Sequence, residues 1–152
     1  MSVVVGDRVG VDIGGTRIKA GLVRDGQVID RVISRLEDDQ RRTAGVVKHV
    51  QELARRWPSV PIGVGVAAIV DTGRGVVVAS PNMPFLDGFE LGPAASVATG
   101  VRVAIDNDVN CIGWGEAVAG AGQGGGDMVC LALGTGLGGA VVIDGSLRRG
   151  GR

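Results

Sequence analysis

The sequence predicts an α/β fold built on a mixed sheet. Short apolar runs separated by glycine turns open the chain, and segments with helical period then alternate with further apolar runs. The chain has 152 residues, enough for one domain of ordinary size, and 28 of them are glycine. The glycines cluster between apolar runs, which indicates tight turns rather than a low-complexity tract.

The first third of the chain predicts three antiparallel strands. We expect strands at 8–13, at 18–23 and at 27–35, because each is a short run rich in Val and Ile. Asp25-Gly26 is a strong hairpin signal between the second and third runs.

A helix is predicted over 40–57, where apolar residues recur at steps of three and four until Pro58 and Pro61 end the pattern. His49 lies in this helix, where we expect a solvated position. The apolar run 62–70 then predicts a strand covered on both faces.

The remaining chain alternates between helices and strands. We expect helices at 91–99 and 108–119, strands at 101–105, 128–133 and 137–143, and loops or linkers at 71–75, 80–90 and 120–127.

A partial internal repeat appears when the chain is shifted by 119 residues. Gly15-Thr16 then falls on Gly134-Thr135, and Asp25-Gly26 falls on Asp144-Gly145. Two interpretations stay open: two ordinary hairpins, or two duplicated domains of which the second has only begun.

The two Gly-Thr turns have a candidate role in binding phosphate. Backbone N–H groups of a glycine turn can converge on an anion, and the Thr hydroxyl adds a donor. Neither turn matches the P-loop or the dinucleotide fingerprint. A purely structural turn is the alternative for each.

The motif Asp106-Asn107-Asp108 precedes the predicted helix 108–119. Because Asp and Asn are preferred N-caps, capping alone is one interpretation. In the other, one residue caps the helix while Asp108 faces a cleft as a general base. Asn107 could then donate to and accept from a sugar hydroxyl.

Four motifs in order resemble those of the ROK family, most closely its bacterial glucokinases and related sugar kinases. They are DIGGTRIK at 12–19, SPNMP at 80–84, DNDVNC at 106–111 followed by Gly115-Glu116, and LGTGLGG at 133–139. The resemblance covers the whole chain. It implies an actin-like, ribonuclease-H-like fold of two domains, and ATP-dependent phosphorylation of a hexose hydroxyl with Mg²⁺.

The resemblance also implies roles for individual residues. Asp108 matches the catalytic base, Asn107 matches a sugar ligand, and Asn82 lies in the loop that borders the sugar, with Arg74 as a further candidate. The residues matching the ATP-binding motifs are Asp12, Gly14, Gly15, Thr16 and Lys19 in the first and Gly134, Thr135, Gly136 and Gly138 in the second. Asp12 would act on Mg²⁺ or its waters.

The resemblance suggests boundaries as well. Residues 1–120 would form the N-terminal ribonuclease-H-like domain, 121–127 a glycine-rich hinge, and 128–152 the start of a truncated C-terminal domain. Family members continue into a sugar-binding segment with Glu and His, a Cys-rich zinc motif and a nucleoside-binding part. Since this chain stops before them, we expect no zinc site and little or no kinase activity from the isolated chain.

Charge balance and cysteine pattern argue against some classes of partner and compartment. Sixteen basic residues balance sixteen acidic ones, which argues against a broad nucleic-acid or membrane surface. Cys111 and Cys130 form no CxxC pair, so we expect reduced thiols and a cytoplasmic protein. The alternatives to a kinase are a ROK-type sugar-responsive regulator lacking its DNA-binding segment, and a noncatalytic actin-like module. A homodimer formed through the terminal hairpin is a further hypothesis.

Overall fold

A computed structural model describes residues 6–36, 42–134 and 136–149. Its elements, in chain order, are β1 (Arg8–Ile13), β2 (Arg17–Arg24), β3 (Gln27–Arg35), α1 (Thr43–Ala54), β4 (Ile62–Val66), β5 (Ile69–Asp71), β6 (Val76–Ala79), a 3₁₀ turn (Pro84–Leu86), α2 (Leu91–Thr99), β7 (Val103–Asn107), α3 (Asp108–Ala119), β8 (Met128–Leu133), β9 (Leu137–Ile143) and β10 (Ser146–Arg148). No helix in these ranges is both long enough and apolar enough to cross a membrane.

The central sheet has the strand order β3-β2-β1-β4-β7. The first three strands are antiparallel, whereas β4 runs parallel to both β1 and β7. The mixed sheet is therefore confirmed. Asp25 and Gly26 join β2 to β3 with φ of 50° and 79°, the doubly left-handed geometry that a two-residue hairpin turn requires.

The main core lies on one face of this sheet. Strand β1 buries Val9, Val11 and Ile13 there, and α1 contributes the fully buried Val46 and Val50. Residues of β4, β7 and α2 complete the same hydrophobic cluster. The alternating residues of β1, Gly10 and Asp12, belong to the opposite face, as the two-residue period of a strand requires.

Helix α1 differs from its prediction in its length and in the burial of His49. It spans 43–54 rather than 40–57, and residues 40 and 41 lie outside the described residues. The expectation that His49 is solvated was wrong, because the residue is only 6% exposed. The apolar face of α1 is wide enough to include this position between Val46 and Val50, and both ring nitrogens are buried with no hydrogen-bond partner among the described residues.

The strand predicted over 62–70 is in fact two strands in different sheets. The chain turns sharply after β4, where Ala68 N donates to Val66 O at 2.7 Å. Strand β5 then pairs with β6, which the sequence did not indicate. The strand expected at 101–105 lies at Val103–Asn107 instead.

A second sheet, in the order β10-β9-β8, packs against α3. A Cβ on Gly113 of α3 would overlap Ala140 of β9, so helix and strand approach closely. The turn at Asp144-Gly145 has φ of 51° and 66° and repeats the geometry of Asp25-Gly26. The shift of 119 residues does not hold across the glycine turn. It would match the pair Ile13–Ile18 with Ala132 and Leu137, but Leu137 pairs with Leu133.

The glycine-rich segment after α3 is a run of hydrogen-bonded turns. Gly120 N and Gly122 N both donate to Glu116 O, and Ala121 N donates to Glu116 Oε2 at 2.9 Å. The start of the segment expected to act as a hinge is thus folded onto the end of α3.

Candidate functional site

Several of the predicted site residues lie where β1, β4 and β7 end together. Ile13, Val66 and Asn107 are cross-strand neighbours, and one residue earlier Asp12, Gly65 and Asp106 form a second row. Asp12 and Asp106 are therefore two strand spacings, about 10 Å, apart at their Cα atoms. The carboxyl ends of parallel strands are the usual place for ligands in such sheets.

Asn107 is the N-cap of α3. Its Oδ1 accepts hydrogen bonds from Val109 N at 3.0 Å and Asn110 N at 3.1 Å. Its Nδ2 donates to Ala68 O at 3.1 Å and to Asp108 Oδ1 at 3.0 Å. The amide thus uses all of its usual hydrogen-bonding positions, so contact with a sugar requires exchange of one of these bonds.

Asp108 is the first residue of α3, where the helix N-terminus stabilises a carboxylate. Its Oδ1 accepts from Asn107 Nδ2 and from Val109 N, the latter at 2.9 Å. Within the described part of the chain, Oδ2 accepts no hydrogen bond. One oxygen is fixed and the other is free, an arrangement that suits a positioned base.

Gly65 allows α3 to begin this close to the sheet. A Cβ at this position would lie 3.3 Å from Asp108 Cα and 3.4 Å from Cys111 Sγ. Desolvation of the sulfur, together with the Asp106 and Asp108 carboxylates, raises the pKa of Cys111 to about 11. Cys111 is therefore a protonated thiol at neutral pH.

Asp106 has a role in the site that the sequence did not reveal. Its Oδ1 accepts from Asn107 N at 2.8 Å and Asn110 Nδ2 at 3.0 Å. Its Oδ2 accepts from Nε and Nη2 of Arg149 at 3.0 and 2.6 Å. No local pattern indicates this pair, because 43 residues separate its members.

The first glycine turn is closed by Gly14 N, which donates to Arg17 O at 3.0 Å. Backbone N–H groups of Gly15 and Thr16 find no partner among the described residues. Lys19 Nζ lies 2.9 Å from Asp12 Oδ2. Two unpaired donors, a cation and a carboxylate at one turn fit a phosphate group with its Mg²⁺, which proteins usually hold through one or two carboxylates.

Asn82 lies directly beside this turn. A Cβ on Gly15 would be 3.7 Å from the Asn82 carbonyl oxygen. The loop is fixed by the buried Ser80, whose Oγ donates to Ala67 O at 2.9 Å and accepts from Met83 N at 3.2 Å. The structure therefore brings the exposed Asn82 and the first glycine turn together.

Two other predicted residues stand apart from this cluster. Arg74 is exposed in the turn between β5 and β6, with Nη2 4.0 Å from Glu90 Oε1, and none of its described contacts involves another predicted site residue. Gly138 faces the Val109 side chain, which a Cβ there would overlap. Its position is one of close packing between α3 and β9.

The second glycine turn is described only in part. Gly134 N donates to Gly136 O at 2.9 Å, and Thr135 lies outside the described residues. Over the ranges that the structure describes, no group of three or more His, Cys, Asp or Glu side chains is arranged to hold a metal ion.

Comparison with known proteins identifies the family of this chain. The ROK family matches residues 8–152. Glucokinase from Streptomyces coelicolor is 34% identical over 96% of the chain, and glucokinase from Thermotoga maritima is 37% identical over 93%. A crystal structure of a ROK family glucokinase from Streptomyces griseus with glucose and AMPPNP matches 95% of the chain with a TM-score of 0.86 and 35% identity.

The chain spans about half of these relatives, namely 46% of each of the two glucokinase sequences and 47% of the crystallised chain. The fold agrees with these structures, and the family match extends almost from end to end. The chain belongs to the ROK family.

Proposed function

We propose that this chain forms part of an ATP-dependent sugar kinase in which Asp108 is the general base. The observation that carries the proposal is the Asp108 carboxylate, whose Oδ1 is held by Asn107 and Val109 while Oδ2 accepts no hydrogen bond from any described residue. The relatives named glucokinase support phosphoryl transfer to a sugar as the class of reaction. The Streptomyces griseus structure contains both glucose and the ATP analogue AMPPNP.

The proposed step is phosphoryl transfer to a hexose hydroxyl. The hydroxyl oxygen attacks the γ-phosphorus of ATP, its proton passes to Asp108 Oδ2, and the bond to the leaving ADP oxygen breaks. Such transfer depends mainly on positioning and on charge stabilisation. A positioned general base contributes about 10²- to 10⁴-fold.

The first glycine turn supplies the phosphate contacts in this proposal. The Gly15 and Thr16 N–H groups and the Thr16 hydroxyl would donate to phosphate oxygens, and Lys19 would add a positive charge. Asp12 would hold Mg²⁺ or its waters. Bound with ATP, Mg²⁺ neutralises charge on the phosphates. Gly134, Thr135 and Gly136 would form the opposing turn.

Asn82 and Asn107 would supply the sugar contacts. Asn82 is exposed next to Gly15 and would reach a sugar hydroxyl directly. Asn107 would act first by orienting Asp108, and would contact sugar only by exchanging one of its four hydrogen bonds.

The second sheet supports the proposal that residues 128–149 open a second domain. Its residues Val129, Leu131, Leu133 and Leu137 occupy the positions of Val9, Val11, Ile13 and Ile18 in the first sheet. Helices cover the first set, and Ile13 is fully buried, whereas Leu133 is 89% exposed. Because no helix among the described residues covers this face, we expect little or no turnover from the 152-residue chain alone.

Ligand titration of the ¹⁵N-labelled chain tests the proposal without requiring turnover. Glucose should shift the amide signals of Asn82 and Asp108, and Mg-ATP should shift those of Gly15 and Thr16, both at about millimolar concentration, where an incomplete site binds. Mannitol and Mg-sulfate are the control additions. Identical responses to glucose and mannitol, or to Mg-ATP and Mg-sulfate, would contradict the proposed site.

A further inference from the structure

Arg149 connects the second sheet to the motif that carries Asp108. It follows β10 directly, while Asp106 is the penultimate residue of β7 in the first sheet. The guanidinium donates twice to Asp106 Oδ2, at 2.6 and 3.0 Å. Charge-assisted bonds of this kind are among the stronger ones in proteins.

The contact continues from Asp106 to Asp108 through hydrogen bonds. Asp106 Oδ1 accepts the backbone N–H of Asn107 and the side-chain amide of Asn110. Asn107 in turn donates to Asp108 Oδ1. Arg149 therefore stands three hydrogen-bonded steps from the carboxylate that acts in catalysis.

We infer that Arg149 is a positioning residue that fixes Asp106 and, through Asn107, orients the Asp108 carboxylate. Its catalytic meaning rests on the proposed kinase function, whereas the orientation itself does not. Since Arg149 directly follows β10 of the second sheet, the geometry of Asp108 depends on where that sheet lies against α3.

Charge balance at the site gives a second reason for the assignment. Three carboxylates, those of Asp12, Asp106 and Asp108, lie at this edge of the sheet. Lys19 pairs with Asp12, and Arg149 pairs with Asp106, whose side chain is only 16% exposed. Without Arg149, the described residues would leave this mostly buried carboxylate with no cation beside it, an unfavourable arrangement.

The Arg149 side chain is only half buried. A cleft of about 320 Å³ separates α3 from the end of the second sheet, and Arg149 crosses it with half of its side chain exposed. The cleft is lined in part by Asn110, Trp114 and Leu147. The link is therefore mainly electrostatic, and its removal should leave the fold intact.

The test compares Arg149→Met with Arg148→Met in the ¹⁵N-labelled chain. Arg148 is the adjacent arginine and pairs with Asp144, Nη2 to Oδ2 at 3.6 Å, away from Asp106. In Arg149→Met, hydrogen exchange at the Asn107 and Val109 amides should accelerate about tenfold or more, and the Asn107 side-chain amide signals should shift. Arg148→Met should leave these signals unchanged.

Arg149→Lys provides the rescue. It keeps the charge but offers a single donor group, so exchange at Asn107 should return to within about threefold of the unchanged chain. Unchanged Asn107 signals in Arg149→Met would overturn the inference. So would equal effects of the Met variants at positions 148 and 149, which would indicate a general role in the second sheet. No sugar or nucleotide is added, so the result is independent of whether the chain belongs to a kinase.

Discussion

Gly138 of β9 lies against Val109 of α3 so closely that a Cβ on the glycine would overlap the valine side chain. Val109 follows Asp108 directly, and its N–H donates to both Asn107 Oδ1 and Asp108 Oδ1. The glycine that resembles part of a phosphate motif is therefore a packing position. It sets the distance between the second sheet and the turn of helix that carries Asp108.

Gly138→Ala should lower the free energy of unfolding by about 1–3 kcal/mol, because the new methyl group must displace Val109 or separate β9 from α3. Gly139→Ala is the matched control, since a Cβ there meets its nearest atom, Leu131 Cδ2, at an ordinary 3.7 Å. Urea unfolding measures both variants. Equal losses for the two would show that the contact with Val109 is not the cause.

His49→Leu should raise the free energy of unfolding by about 1 kcal/mol, because it replaces two buried ring nitrogens, which have no partner in the described part of the chain, by apolar atoms of similar volume. Lys48→Leu, at the exposed neighbouring position, should change it by less than about 0.5 kcal/mol. Thermal unfolding at neutral pH compares the two. A loss of stability in His49→Leu would mean that the ring has a partner in solution.

Asp30 should contribute to acid sensitivity. A hydrogen bond from Arg56 and, less strongly, one from Trp57 lower the pKa of Asp30 below its ordinary value of 3.8. A lowered pKa in the folded state means that the stabilisation is complete above about pH 4 and is lost as pH falls through the folded-state pKa.

Asp30→Asn should therefore reduce stability at pH 7 and flatten the decline below about pH 4. Urea midpoints measured from pH 7 to pH 2 check this expectation. Asp25→Asn, in the exposed β2–β3 turn, is the control for loss of one negative charge. If the urea midpoint falls equally steeply below about pH 4 in the unchanged chain and in Asp30→Asn, the assignment is contradicted.

Local patterns predicted much of the fold. Short runs rich in Val and Ile and an Asp-Gly turn located β1, β2 and β3. Helical period located α1 within a few residues, and α2 and α3 lie where helices were predicted. Both open interpretations of residues 106–108 included a cap on α3, and the structure shows that Asn107 is this cap. Asp108 Oδ2 accepts no hydrogen bond from the described residues.

The structural features that the sequence did not predict depend on tertiary contacts. Strand β4 ends at Val66 because the chain turns within an apolar run, and no Gly or Pro marks this turn in the sequence. Burial of His49 depends on what packs over α1. The Arg149–Asp106 pair joins two sheets, and neither residue has a local signal that names its partner.

The most direct test of the central claim measures phosphoryl transfer in a chimera, with this chain replacing the matching segment of a glucokinase relative. Asp108→Asn should lower kcat for glucose about 10²- to 10⁴-fold while the KM for ATP changes little, since only the proton acceptor is lost. Asp25→Asn should leave kcat unchanged. A folded, active chimera whose Asp108→Asn variant retains kcat within about threefold would contradict the assignment of Asp108 as the base.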